Sequence, residues 1–269
     1  MGELDEVALA EAMGQDPDAA LALLAEMVTA TDERLRAAAR RLAARLVLDR
    51  VRTGRPRSGG VGRMRQMPAD RGGDLDIDAS TDALLDARAL GRPPALGDLT
   101  AREWGRPELA LCLLLDRSGS MSGERLATAA LAAAACALRA PTQHAVIAFA
   151  RDVQVLRTLD LPLPPETVVD EVLALRGHGT TDLVKALRAA GEQFQRSRAS
   201  RQVTVLLSDC RDTGGADAAA AARAVGELIV LAPADDVEQA KDLAERAGAR
   251  WAPLVSATEA PAVLADLLA

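Results

Sequence analysis

Leu111-Cys-Leu-Leu-Leu-Asp-Arg-Ser-Gly-Ser-Met-Ser-Gly123 decides the fold of this chain. An apolar run ends in Asp116, Ser118 and Ser120, three short oxygen-bearing side chains at alternate positions, and an alanine-rich helical pattern follows. A strand, a polar loop and a helix in that order open an α/β sheet, and such sheets bind ligands at the carboxyl ends of their strands. A carboxylate and two hydroxyls there supply half of an oxygen-only site. Hard divalent cations such as Mg²⁺ prefer that donor set and keep several waters.

Two stretches further on supply the other half. Gly177-His-Gly-Thr-Thr-Asp182 is a glycine-flanked hydroxyl loop before a helical pattern, and Gln202-Val-Thr-Val-Leu-Leu-Ser-Asp209 is a second apolar strand ending in a carboxylate. Asp, Ser, Ser, Thr and Asp in this order, on loops after strands, resemble the von Willebrand factor type A family. The resemblance covers roughly residues 108–269. It implies a metal-ion-dependent adhesion site formed by Asp116, Ser118, Ser120, Thr181 and Asp209. Thr181 is taken over Thr180 because the family's threonine directly precedes the helix, which here reads Asp182-Leu-Val-Lys-Ala-Leu187. One departure stands out: the family commonly has glycine after the last aspartate, where this chain has Cys210.

From Leu109 onward strand and helix patterns alternate. Strands are expected over 109–116, 144–150, 153–159, 202–209, 227–232 and 250–255. Helices are expected over 122–139, 165–174, 182–197, 215–225, 235–247 and 258–268. Apolar strands with little alternation imply a sheet covered on both faces. Only Arg151-Asp152 separates the second and third strands, so that pair must be an antiparallel hairpin. The expected fold class is therefore α/β: a doubly wound, mostly parallel sheet with one antiparallel edge strand, plus a small N-terminal helical region.

Residues 1–52 are that helical region. Pro17 and Asp18 open one amphipathic helix. Thr31-Asp-Glu-Arg-Leu35 opens another, whose Leu35, Ala39, Leu42 and Leu46 recur at helical spacing among arginines. Residues 53–107 are expected to be a basic Arg/Gly/Pro linker followed by an acidic segment ahead of the 108–269 domain. Between 52 and 73 stand Arg52, Arg55, Arg57, Arg63, Arg65 and Arg71 with eight glycines or prolines and a single acid, Asp70, the composition of a solvated tether. In Asp74-Leu-Asp-Ile-Asp78, alternation would put three carboxylates on one face of an extended segment.

Composition narrows the function. The 269 residues are 49% hydrophobic but 1% aromatic, with Trp104, Trp251, Phe149 and Phe194 and no tyrosine, so the core must be aliphatic. A net charge of −7 with so few rings removes the stacking platforms used for single-stranded nucleic acid. The N-terminus is acidic where a secretory signal would be basic. The longest uncharged run, Leu126 to Leu138, is too short to span a bilayer. Cys112, Cys136 and Cys210 are odd in number and lack C-x-x-C spacing, which points to free thiols and a cytoplasmic protein. No G-x-S-x-G elbow, no phosphate-binding G-x-x-x-x-G-K-[ST] and no zinc-ligand spacing around His144 or His178 is present, so the chain reads as a binding module and not as an enzyme.

The resemblance extends that reading. It is to bacterial intracellular members, CoxE-like and magnesium-chelatase-subunit-like, that work with MoxR-type or chelatase-type AAA+ ATPases. It implies a Mg²⁺ cofactor, with Mn²⁺ and Ca²⁺ as the other candidates, and a protein partner whose Asp or Glu completes the coordination shell. It also implies an ATPase that acts on a client in remodelling or metal-cofactor insertion. Two other readings follow from the residues: nucleic-acid association through the arginine-rich linker, and a scaffold in which the ion only stabilises loops.

Overall fold

The computed structural model describes residues 6–28, 33–53, 63–105, 108–119, 123–177 and 179–269. The chain forms two compact units, one of residues 1–57 with 109–269, the other of residues 58–108.

The larger unit is built on six strands: β4 (Leu109–Asp116), β5 (His144–Phe149), β6 (Val153–Arg157), β7 (Arg201–Leu207), β8 (Glu227–Pro233) and β9 (Arg250–Leu254). Their order is β6-β5-β4-β7-β8-β9. All neighbours run parallel except β5 and β6, which pair antiparallel as the two-residue link requires. The chain leaves β4 for β5 on one side and returns to β7 on the other. That reversal opens a crevice at the carboxyl ends of β4 and β7, the position where doubly wound sheets bind ligands.

The pleat of β4 explains its unbroken apolar run. Leu111, Leu113 and Leu115 enter the core on one face, while Ala110, Cys112 and Leu114 enter the core on the other. Helices α7 (Leu183–Phe194), α8 (Ala218–Ala224) and α9 (Glu238–Ala247) cover the second face. Helices α5 (Gly123–Arg139), α6 (Pro165–Leu173) and α10 (Ala260–Leu268) cover the first.

Helix α5 is buried on nearly every side, including Leu126, Ala130, Leu131 and Ala134. Its alanines allow close approach, because it lies between the sheet and a third layer. That layer is the N-terminal helices α1 (Glu6–Gln15), α2 (Pro17–Met27) and α3 (Glu33–Thr53). Leu21, Leu24, Val47 and Leu48 belong to the same hydrophobic core as α5. The apolar stripes read in residues 1–52 thus find their mate in α5, and the helices are part of the larger unit. Polar ties fasten them. Arg40 donates from Nε to Asp170 Oδ1 at 2.8 Å, and Asp18 accepts from the amide and hydroxyl of Thr258, each at 2.8 Å.

The smaller unit departs from the linker expectation. Arg63–Pro68 forms strand β1, paired antiparallel along its whole length with β3 (Thr100–Gly105); β2 (Asp74–Leu75) pairs on the other side of β3, and α4 (Thr81–Ala89) follows β2. Composition hid β1 because its partners lie far along the chain, Arg63 pairing with Gly105 and Pro68 with Thr100, and its own sequence is polar. Residues 54–62, the rest of the expected tether, lie outside the described residues. The three alternating aspartates do not share a face either. The strand stops at Leu75, Asp74 and Asp78 are exposed, and Asp76 is buried. Its carboxylate accepts from Arg102 Nε at 2.5 Å, Gln66 Nε2 at 3.0 Å and the Ala79 amide at 3.1 Å. Burial would raise its pKa, but those donors hold it below the usual value.

Among the described residues no helix is long and apolar enough to cross a membrane.

Candidate metal centre

Asp116 closes β4 at the carboxyl edge, and the chain turns at once. The Ser118 amide donates to Asp116 Oδ1 at 2.8 Å, the Arg117 amide donates to the Phe149 carbonyl at 2.8 Å, and Gly119 takes a left-handed φ of 66°. The other carboxylate oxygen, Oδ2, accepts from the Ser208 hydroxyl at 2.5 Å. Ser208 stands at the end of β7, and its Oγ also accepts the Cys210 amide at 2.9 Å. The carboxylate is thus locked in orientation from both sides. Burial pushes its pKa up, the Ser208 and Ser118 donors oppose that rise, and the nearby Asp209 carboxylate adds to it.

Asp209 follows on the same edge, and its Oδ1 accepts the Arg211 amide at 3.0 Å. Asp116, Ser118 and Asp209 line one cavity of about 450 Å³. Thr181 is buried on the loop before α7 and stands outside that lining. Its amide donates to Thr213 Oγ1 at 3.2 Å, and its carbonyl accepts the Thr213 hydroxyl at 2.9 Å and amide at 3.0 Å. These bonds tie the Thr181 loop to the segment that follows Asp209. Asp182 then caps α7 by accepting the Lys185 amide at 3.0 Å, as the motif before that helix suggested. Ser120, the fifth expected ligand, lies outside the described residues, as do Met121 and His178.

Three contributors escaped the sequence reading. Ser208 orients Asp116, Thr213 pins Thr181, and Asp212 accepts the Leu183 and Gly214 amides at 3.1 and 3.2 Å. Ser208 had a signal, being a second oxygen at the end of an apolar strand. Asp212 and Thr213 looked like ordinary turn residues.

Cys210 occupies the position where glycine was expected, and it keeps the glycine conformation. Its φ of 61° is the only positive value at a non-glycine among the described residues. Left-handed backbone costs an ordinary residue roughly 1–2 kcal/mol, and the bond from its amide to Ser208 holds it there. Burial first of all pushes its thiol up to about 12, so it is a poor nucleophile.

The donors fit a hard divalent cation. Among the described residues no three His, Cys, Asp or Glu side chains gather as a metal-holding group. The centre would instead use two carboxylates, Asp116 and Asp209, with hydroxyl oxygens, a set suited to Mg²⁺ and its retained waters. The Asp116 carboxyl is pushed up first by burial and only in small part by Asp209, so both carboxylates stand without a compensating positive charge in a partly dry site.

Comparison with known proteins agrees with this geometry. Residues 111–214 match the family model described as von Willebrand factor type A domain. An aerotolerance-related membrane protein from Bacteroides fragilis superposes with a TM-score of 0.50 at 15% identity, over 60% of this chain and 98% of that one. The PilB minor pilin from Streptococcus sanguinis, as its D319A mutant, superposes with a TM-score of 0.50 at 13% identity, over 63% of each chain. At these identities the likeness is one of fold. No curated protein matches the chain. The strand order and the loops at the carboxyl edge agree with that match: residues 111–214 are similar to a von Willebrand factor type A domain, set in a doubly wound, mostly parallel sheet.

Proposed function

We propose that this protein is a divalent-metal-dependent protein-binding module whose centre is Asp116, Ser118, Ser120, Thr181 and Asp209. The observation that carries the reading is the single cavity at the carboxyl edge that holds Asp116, Ser118 and Asp209 together. A bound Mg²⁺ would supply an electrophilic position that accepts an outside carboxylate. The chain's own residues do the rest. Ser208 and the Ser118 amide hold Asp116 in one rotamer, and Thr213 holds the Thr181 loop against the Asp209 loop. A partner's Asp or Glu would complete the shell, because two aspartates only just neutralise a divalent ion.

In this reading the partners are a MoxR-type or chelatase-type AAA+ ATPase and its client, and the chain acts as adaptor. Support for the adaptor role comes from the sequence resemblance. The N-terminal helices pack on α5 and share its hydrophobic core. The test is twofold. Mg²⁺ titration should raise the melting temperature of the wild type and not of Asp116→Ala or Asp209→Ala. Capture of the ATPase or client should require Mg²⁺ and fail in EDTA. Unchanged capture under all conditions would refute a metal-gated contact, and capture of salt-sensitive nucleic acid alone would favour the arginine-rich segment as the binding element.

A further inference from the structure

The cavity that holds Asp116, Ser118 and Asp209 is far larger than an ion needs. Its volume of about 450 Å³ falls in the range of sites that enclose organic groups. Away from the aspartates its floor is aliphatic, made by Leu115, Ala129, Leu207 and Leu254. Its mouth is charged, with Glu124 from the first turn of α5, Asp235 from the loop after β8, and Arg125. Glu124 and Asp235 are exposed, and neither has a side-chain partner among the described residues. The contrast with the next residue is sharp: Asp236 is taken by Arg211 at 2.8 Å. Thr128, the hydroxyl nearest in sequence to Glu124 on this wall, donates instead to the Glu124 backbone carbonyl at 2.8 Å.

The walls are also built in advance. The Ala234 amide donates to the Leu254 carbonyl at 2.9 Å, joining the loops after β8 and β9. Asp18 on α2 accepts the Thr258 amide and hydroxyl just beyond Val255 and Ser256, which form the outer wall. A cavity held open in this way loses little ordering entropy when a ligand enters.

Charge decides what enters. A divalent ion would balance Asp116 and Asp209. Glu124 and Asp235 against Arg125 then leave one negative charge at the mouth, above an aliphatic floor. A long side chain with an apolar stem and a cationic head matches both features, because such chains bury their methylenes and keep the charge at the rim. We propose that this cavity is a second anchor of the same site. It takes a Lys or Arg side chain of the partner, next in sequence to the acidic residue that the partner offers to the metal. The inference rests on the metal-dependent reading above and adds the class of sequence recognised.

The test uses the full chain with labelled Leu and Val methyl groups. The probes are the capped dipeptides Ac-Asp-Lys-NH2, Ac-Lys-Asp-NH2, Ac-Asp-Ala-NH2 and Ac-Asp-Leu-NH2, each titrated in Mg²⁺ and in EDTA. One of the lysine peptides should bind about tenfold more tightly than Ac-Asp-Ala-NH2, the gain expected from one charge-assisted contact. That gain should appear with shifts at Leu254 and Val255, and Asp235→Asn should reduce the lysine-to-alanine ratio to about two or below. Equal affinity of the lysine and alanine peptides, or tightest binding by Ac-Asp-Leu-NH2, overturns the inference while the metal reading stands. If no peptide binds better in Mg²⁺ than in EDTA, both readings fall.

Discussion

Ser208→Ala is the sharpest test of how the centre is held. The hydroxyl makes two bonds, donating to Asp116 Oδ2 at 2.5 Å and accepting the Cys210 amide at 2.9 Å. Ser208 is 4% exposed, so water does not readily replace either bond. A hydrogen bond to a charged group contributes about 1.5–3 kcal/mol, and a buried amide left without a partner costs about 1–3 kcal/mol. Some relaxation is expected, so the net loss should be about 3 kcal/mol. For a unit of this size that corresponds to a fall in melting temperature of roughly 6–12 °C. Removing a group that orients a ligand also weakens metal binding, by about 10- to 100-fold. The assay is urea unfolding followed by Trp251 fluorescence in a Trp104→Phe background, with and without Mg²⁺. Trp251 lies in β9 and reports on the larger unit. Ser256→Ala is the control: it lines the same cavity, but its hydroxyl has only a 3.4 Å contact with Thr258. A Ser208→Ala loss below about 1 kcal/mol, equal to that of the control and with unchanged Mg²⁺ response, would refute the orienting role.

Other predictions follow from particular residues. Cys210→Gly should lie within about 1 kcal/mol of the wild type, because relief of left-handed strain offsets the added entropy of the unfolded chain. Cys210→Val should lose more than about 2 kcal/mol in the same urea assay, since a β-branched residue tolerates that backbone worst. His144 is buried at the start of β5, with Nδ1 against the Ala140 carbonyl at 2.8 Å, and burial, with help from Arg157, lowers its pKa from 6.5 to about 4. The unfolded chain therefore takes the proton first. Stability from this residue is complete above pH 6.5 and is lost as pH falls toward about 4, by about 3 kcal/mol in all at roughly 1.4 kcal/mol per pH unit. Unfolding midpoints between pH 4 and 7 should show that slope in the wild type and a flatter one in His144→Gln. Asp76→Ala should remove the acceptor shared by Arg102, Gln66 and Ala79, and hydrogen exchange should then accelerate in β1 and β3 while β4 and β7 keep their protection.

The alternation of strands and helices after Leu109 was legible because it is a local signal. Period, apolar run length and the two-residue hairpin link are all written in neighbouring residues, and the structure follows them with small differences at the ends. Helix α8, for example, begins at Ala218 where 215 was expected, because Asp217 caps it by accepting the Ala219 and Ala220 amides. The motif residues were legible for the same reason, as each stands at a strand end or before a helix. The orienting residues were not. Ser208 and Asp116 are 92 positions apart, Thr213 and Thr181 are 32 apart, and nothing in the local sequence of a turn tells which distant oxygen it will meet. The linker expectation failed on the same ground, since an edge strand rich in arginine is recognisable only beside the strand that pairs with it.

Sequence alone determined the doubly wound sheet, its antiparallel edge and the loops that carry Asp116, Ser118 and Asp209, because hydrophobic periodicity and turn chemistry act over a few residues. Only the tertiary structure decided that α2 and α3 complete the core on α5, and that Ser208 locks Asp116. It alone also showed Cys210 keeping a left-handed turn, and one cavity joining the aspartates to an aliphatic floor and an acidic mouth. Those features arise where segments far apart in the chain come within a few ångströms, and that proximity is set by the packing of the whole sheet and its helices.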